Sequence, residues 1–311
     1  MKIAIVGTGA MGSVYAGLFA SSGHDVWAVD NWREHIDAII RNGLRVEGAS
    51  GDRRVAMNAT TTVNDVGLCD LVVIATKSYD VVEAAKQTQS LLGENTLVLT
   101  IQNGLGSPEK VAKVLGDHRV AIGVVGGFGA SIPEPGHVHH NGMELVRLGE
   151  LKGGVTPRIE EVAKVWRESG FAVKAFDDPH QLIWEKLICN VCYSGSTSVT
   201  GKTIGQVIDD PDAWRIASGC ALEAFEVARA TGIHLDFDDP IQYVREFGSK
   251  IPNAKPSMLL DRLARRRSEI DAINGAIPRA ASEVGLKAPY NEVISSLVRT
   301  AERNYGNKNS L

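Results

Sequence analysis

Lys2-Ile3-Ala4-Ile5-Val6-Gly7-Thr8-Gly9-Ala10-Met11-Gly12 decides how the chain is read. A short β-rich apolar run passes directly into G-x-G-x-x-G, after which Met11, Tyr15, Leu18 and Phe19 recur at helical spacing. A glycine triplet alone is a weak signal. Between a strand and the helix it opens, it has the context that a dinucleotide-binding turn requires. The first glycine permits the tight turn, the second lets backbone approach a pyrophosphate, and the third lets helix pack closely on strand. The helix start adds unpaired N–H groups and a positive dipole end, so Gly7, Thr8, Gly9, Ala10, Met11 and Gly12 are expected to cradle phosphates. A second strand, Asp25–Val29, ends at Asp30. An acid there hydrogen-bonds an adenosine ribose 2′-hydroxyl and repels a 2′-phosphate, which favours NAD. Arg33, three residues on, is a group that could meet the 2′-phosphate, so NADP stays open. Capping the strand end is the plainer role for Asp30.

Outward from that turn, apolar runs at 2–6, 25–29, 71–75 and 96–100 alternate with helical patterns, the mark of βαβ units. The runs are nearly continuous, as in strands covered by helices on both faces. Between 120 and 148, Gly126-Gly127-Phe128-Gly129 and Glu134-Pro135-Gly136 punctuate β-like pieces, which suggests an antiparallel extension of the same sheet. A helix at 155–169 and a strand at 171–175 follow. Beyond Asp177-Asp178-Pro179 only helical patterns remain, at 180–198, 211–231, 239–248, 257–285 and 289–304. The expected fold is α/β: a Rossmann-type doubly wound parallel sheet at 1–176 and an all-helical domain at 177–311 for substrate and dimerisation.

The chain's 311 residues suit two domains, and 44% hydrophobic with 23% charged residues is ordinary globular composition. A net charge of -4 supplies no positive field for nucleic acid or an anionic membrane. No run approaches the ~20 apolar residues of a membrane span. The first residues are followed by glycines and polar groups where a signal peptide would have its apolar region, so a buried first strand and a cytoplasmic protein are expected. Four cysteines make no disulfide scaffold, and the lone Cys189-x-x-Cys192 cannot close a zinc site; buried thiols are expected. His139-His140 point to opposite faces of a strand, and no metal is expected there. Arg265-Arg266-Arg267 is flanked by Asp261, Glu269 and Asp271, so it reads as a solvated or paired helix face.

Several further motifs recur in order. Thr76-Lys77 follows the 71–75 strand, and Gln102-Asn103-Gly104-Leu105-Gly106 follows the 96–100 strand. Trp184-Glu185-Lys186-Leu187 comes with Asn190, and Lys255-Pro256-Ser257-Met258-Leu259 precedes Glu269-Ile270-Asp271-Ala272-Ile273-Asn274-Gly275. With the leading glycine turn, this ordered set resembles the ketopantoate reductase (2-dehydropantoate 2-reductase) family over nearly the whole chain. The resemblance implies reduction of a branched 2-keto acid to its 2-hydroxy acid by NAD(P)H, the pantoate-forming step of pantothenate biosynthesis. It implies that Lys186 is the general acid, that Glu269 hydrogen-bonds the reacting hydroxyl and that Ser257 helps to hold substrate. It implies too that Asn103 lines the nicotinamide and substrate pocket, that Asn190 contacts substrate and that Lys77 lies near the cofactor. A homodimer through the C-terminal helices follows from the same analogy.

The residues make a physical case beside the resemblance. Hydride delivery to a ketone leaves negative charge on oxygen, so a proton donor must lie beside it. Lys186 and Asn190 fall four residues apart on one helical face, where ammonium and amide can converge on one ligand, by the resemblance a small anionic 2-keto or 2-hydroxy acid, and the next step of four reaches Ser194, extending the polar stripe. A lysine in such a helix is as readily a snorkelling surface residue. Glu269 lies at the edge of the apolar stripe Ile270, Ile273 and Ile277; a solvated charge or a partner for Arg265 or Arg266 is its plainer role. Ser257 reads as a helix N-terminal residue, either a cap or a neighbour of N–H groups that receive a carboxylate. Asn103-Gly104 reads also as a simple turn, and Lys77 as surface charge.

Three positions depart from the family pattern. Ser194 stands where many members have a second asparagine, Ala254 replaces an asparagine shortly before the Ser257 motif, and Asp30 disfavours the NADPH that many members use. They keep open an NAD-dependent dehydrogenase of another bulky 2-hydroxy acid. The β-hydroxyacid dehydrogenases lack the block from Ser257 to Glu269. A dinucleotide-binding redox sensor without chemistry would need no proton donor.

Overall fold

The computed structural model describes residues 1–127, 129–142 and 145–305. Its contacts divide the chain into two compact units, one of 1–102 with 106–179, the other of 103–105 with the chain from His180 onward. In the first unit the strands are β1 (Lys2–Val6), β2 (Asp25–Val29), β3 (Leu44–Gly48), β4 (Arg53–Val55), β5 (Asn58–Thr60) and β6 (Cys69–Ile74). They continue as β7 (Leu92–Thr100), β8 (Val120–Val125), β9 (Gly129–Glu134), β10 (His137–Gly142), β11 (Val146–Glu150) and β12 (Val173–Ala175). The helices of this unit are α1 (Ala10–Ser21), α2 (Arg33–Asn42), α3 (Val81–Thr88), α4 (Ser107–Leu115) and α5 (Pro157–Glu168).

Eight strands form one sheet in the order β12-β11-β8-β7-β6-β1-β2-β5. All its pairings are parallel except β8 with β11. The alternation of side chains explains why these strands read as continuous apolar runs. Ile3, Ile5, Leu71, Val73, Leu97 and Leu99 enter the core on one face, beneath α1 and α5. Ala4, Val6, Val72, Ile74 and Val98 enter the core on the other, with residues of α3 and α4. Strand β1 lies between β2 and β6, so the strand order reverses at its carboxyl end, where a doubly wound sheet binds its ligand.

The expected extension at 120–148 is only half of what forms. β8 and β11 do extend the large sheet with an antiparallel pair. β9 and β10 leave it for a second sheet, β4-β3-β10-β9, whose central pairing of β3 with β10 is parallel. That sheet packs against α1, and Gly17 makes the approach feasible: a Cβ there would lie 2.4 Å from Val46 Cγ2.

In the second unit, α6 (Pro179–Thr200), α7 (Ile204–Asp209), α8 (Pro211–Ala230) and α9 (Pro240–Lys250) precede α10 (Ser257–Leu263), α11 (Ala276–Glu283) and α12 (Pro289–Arg303). The expected single helix at 257–285 is a correction: it is two helices joined by turns. Arg265 adopts a left-handed φ of 52°. The N–H of Arg265 reaches Arg262 O and that of Arg266 reaches Asp261 O, closing α10 with the bonding usually built on a glycine. The Arg265 guanidinium donates to the carbonyls of Asn304 and Tyr305, just past α12, which helps hold the strained residue. Arg266 pairs with Asp261 and Arg267 with Asp271, so the basic run is spent on local partners. Among the described residues no helix is long and apolar enough to cross a membrane.

Candidate functional site

The glycine turn shows which of its glycines the fold itself requires. Gly7 has φ +93°, and a Cβ on it would lie 2.5 Å from Thr76 N. On Gly12 a Cβ would lie 2.1 Å from Gly7 O. Both are needed to close the fold. Gly9 is different: a Cβ there meets nothing within 4 Å. Its bareness preserves open space beside the start of α1, where no side chain caps the helix and the first turn carries no acid. Uncapped N–H groups with room before them fit a dinucleotide's phosphates.

The rest of the turn is fixed from below. Thr8 is fully buried, and its hydroxyl lies within bonding distance of the Ile5 and Val29 carbonyls. Ser13 Oγ donates to Thr8 O at 3.1 Å and lies 3.1 Å from His35 Nε2. Because Gly136 N–H donates to His35 Nδ1, the ring's own proton sits on Nε2 and points to Ser13. Burial holds the His35 pKa below its ordinary value, outweighing the opposing pull of Asp30, and so favours this neutral form. Neither Ser13 nor His35 was signalled by the sequence pattern. Asp30 Oδ1 accepts the Trp32 N–H at 2.9 Å, in keeping with the capping role foreseen for it. Arg33 is exposed and forms no ion pair among the described residues. Lys77 is half-buried in the loop after β6. Gln102 Nε2 clamps that loop through the carbonyls of Ile74, at 2.6 Å, and Thr76, at 3.2 Å.

In the second unit, Lys186 lies in α6 beside the buried Trp184, Leu187 and Ile188. It is half-buried, and its Nζ donates to Asn103 Oδ1 at 2.7 Å. Sequence reasoning singled out both residues, and the structure joins them. Asn190 is half-buried and Ser194 is buried on the same helical stripe. The Asn103 strap is held by main chain: Leu105 N–H donates to Ala272 O at 2.9 Å. Gly104 has φ +87°, and a Cβ there would lie 2.1 Å from that same oxygen, so only glycine fits the approach.

Glu269 heads the turn 269–275 and is only 7% exposed, so it is not the solvated charge of its plainer reading. Ser257 is exposed at the start of α10. The cap of that helix is Pro256 and no side chain bonds its first turn, which removes capping as the role of Ser257. His139 and His140 are engaged with Glu47 and Ser50 on the second sheet. All four cysteines are free and buried. Burial pushes the thiol of Cys69 up to about 11 and that of Cys189 to about 12, and raises Cys192 and Cys220 further.

A doubly wound sheet with a bare, uncapped glycine turn at its switch point, in a chain that also holds a lysine–asparagine pair, defines a dinucleotide-dependent oxidoreductase. Comparison with known proteins makes the assignment specific. Residues 3–153 match the family model for ketopantoate reductase PanE/ApbA, and residues 178–302 match the model for its C-terminal domain. A 2-dehydropantoate 2-reductase of Pyrococcus horikoshii is 31% identical over 97% of this chain and 98% of its own. The crystal structure of a PanE/ApbA family ketopantoate reductase from Ralstonia eutropha superposes with a TM-score of 0.91, at 31% identity over 98% of this chain and 99% of that one. D-mandelate dehydrogenase, solved with NADH and anilino(oxo)acetate, also gives a TM-score of 0.91, at 28% identity over 98% and 99% of the two chains. The chain belongs to the ketopantoate reductase family and is an NAD(P)-dependent oxidoreductase of 2-keto and 2-hydroxy acids.

Proposed function

We propose that this enzyme reduces 2-dehydropantoate to pantoate, with Lys186 as the general acid. The observation that carries the reading is the 2.7 Å bond from Lys186 Nζ to Asn103 Oδ1. An ammonium has three donors. One is spent on Asn103, which aims the group toward an oxygen set beside it. A bound nicotinamide would supply the hydride for the carbonyl carbon. Lys186 stabilises the negative charge that grows on the carbonyl oxygen and hands it a proton, and the resulting amine regains a proton from water. In this reading Glu269 accepts the hydrogen bond of the product hydroxyl, while Asn190, Ser194 and Ser257 hold the remaining polar groups. Residues 1–176 carry the cofactor, held by 7–12, Asp30, Lys77 and Asn103, and 177–311 carry the substrate. A cytoplasmic homodimer goes with the same reading.

A second reading rests on Asp30, Ser194 and Ala254: an NAD-dependent dehydrogenase of a different bulky 2-hydroxy acid. The similarity to a mandelate dehydrogenase solved with NADH supports it. Both readings are tested by steady-state kinetics on a panel of 2-keto and 2-hydroxy acids with NAD(H) and NADP(H). A kcat/KM for 2-dehydropantoate far above every other acid supports the first. Negligible turnover of it, with rapid NAD-linked oxidation of an aromatic or branched 2-hydroxy acid, establishes the second.

A further inference from the structure

Besides the ion pairs of Asp271 at its surface, the turn 269–275 bonds the segments that carry Asn103 and Lys186. Its Ala272 carbonyl holds the Asn103 strap through Leu105 N–H at 2.9 Å. Asn274, fully buried, donates through Nδ2 to Val191 O of α6 at 2.8 Å, five residues after Lys186. Gly195 makes this approach to α6 feasible, since a Cβ there would lie 2.9 Å from Asn274 Oδ1 and 2.2 Å from Ile294 Cγ2. Behind Asn274 stands a buried polar chain. Its Nδ2 also donates to Asn291 Oδ1 at 2.9 Å, and Asn291 Nδ2 donates to Glu223 Oε2 at 2.8 Å and Cys220 O at 3.0 Å. Glu223 in turn accepts the main-chain N–H groups of Tyr290, at 2.8 Å, and Asn291, at 3.0 Å, at the start of α12. In an apolar core such a network holds one geometry, because every broken bond strands a buried polar group.

We propose that Asn274 is a positioning residue for proton transfer: it fixes the turn that sets the strap bearing Asn103 against the helix bearing Lys186. The turn bonds the segment that carries each member of the Lys186–Asn103 pair, the strap at Leu105 N–H through Ala272 O and α6 at Val191 O through Asn274, and it carries Glu269 at its head. Movement of the turn by a fraction of an ångström changes where the ammonium points and leaves residues 7–12, Asp30 and Lys77 untouched. The inference rests on the assignment of Lys186 as the proton donor.

The test measures kcat, KM and dinucleotide Kd of the full chain for Asn274→Asp, which keeps the shape but loses the Nδ2 donors. Val298→Ala, in the same core but outside the network, is the control for lowered stability. Asn274→Asp is expected to lose ~10- to 100-fold in kcat, the scale of a small misplacement of reacting groups. Its dinucleotide Kd stays at the wild-type value, and Val298→Ala keeps its kcat while its melting temperature falls. Should Asn274→Asp not fold, Gly104→Ala attacks the other grip and is expected to show the same kcat-specific loss. Wild-type kcat in the Asn274 variant, or equal kcat losses in it and in Val298→Ala, overturns the proposal. Lys186→Ala, run in parallel, separates the two failures. If it retains turnover, the assignment of the proton donor falls; if it is inactive while Asn274→Asp matches the control, only the positioning role falls.

Discussion

The turn at 7–12 presents main chain: uncapped N–H groups, an empty space at Gly9, and side chains turned inward to brace it. The turn at 269–275 presents a carboxylate, a gripping amide and one carbonyl aimed at another segment. The first is a site made by leaving atoms out, the second by putting them in. They therefore fail under opposite changes: a main-chain site is spoiled by adding a methyl group, a side-chain site by deleting a functional one.

Lys186→Ala gives the largest effect. A loss of ~10²-fold or more in kcat is expected, the low end for a general acid, with unchanged dinucleotide affinity by titration calorimetry. A variant with wild-type turnover would break the side-chain half of the contrast. Next comes Gly9→Ala, which adds one carbon where nothing in the protein lies within 4 Å. Its folding stability should stay within ~0.5 kcal/mol of wild type. Its dinucleotide affinity should fall about tenfold, or 1.4 kcal/mol. Equal losses of stability and affinity would mean that the space belongs to the fold and not to a ligand.

Asp30→Ala should move the ratio of NAD to NADP kcat/KM about tenfold toward NADP, the weight of one hydrogen bond to a charged group. An unchanged ratio would reject the ribose role. The smallest effect lies in the bracing behind the glycine turn. Burial depresses the His35 pKa below its ordinary 6.5, so at mildly acid pH the unfolded chain binds a proton that the native one refuses. The stability from this residue is complete above that value and declines as pH falls below it. The melting temperature should drop between about pH 7.5 and 5.5, and less steeply in His35→Asn. The slope should not vanish, since His24 and His140 are depressed by burial too. An identical slope in the variant would show that His35 is not the titrating brace.

The same contrast explains what the sequence alone conveyed. Close backbone approach demands glycine, and glycine spacing is visible in a linear text; the strands flanking it announced themselves by unbroken apolar runs. Contacts made across distance left no such trace. β10 pairs with β3, on the far side of six intervening strands in chain order, and nothing local at 120–148 marks which sheet it joins. The helix expected at 257–285 breaks at a left-handed arginine, and the carbonyls that hold it lie some forty residues later. Lys186 and Asn103 are 83 positions apart. Family resemblance gave each a role but not the bond between them, and it marked Asn274 only as part of a motif; Ser13 and His35 carried no signal because their roles exist only once the chain is folded.

The four thiols carry a practical consequence. A cysteine reacts as its thiolate, and burial both hides these sulfurs and keeps them protonated. The native enzyme should thus ignore alkylating agents and mild peroxide. A single surface cysteine placed by design would be its one labelling handle, with no need to strip the natural ones first.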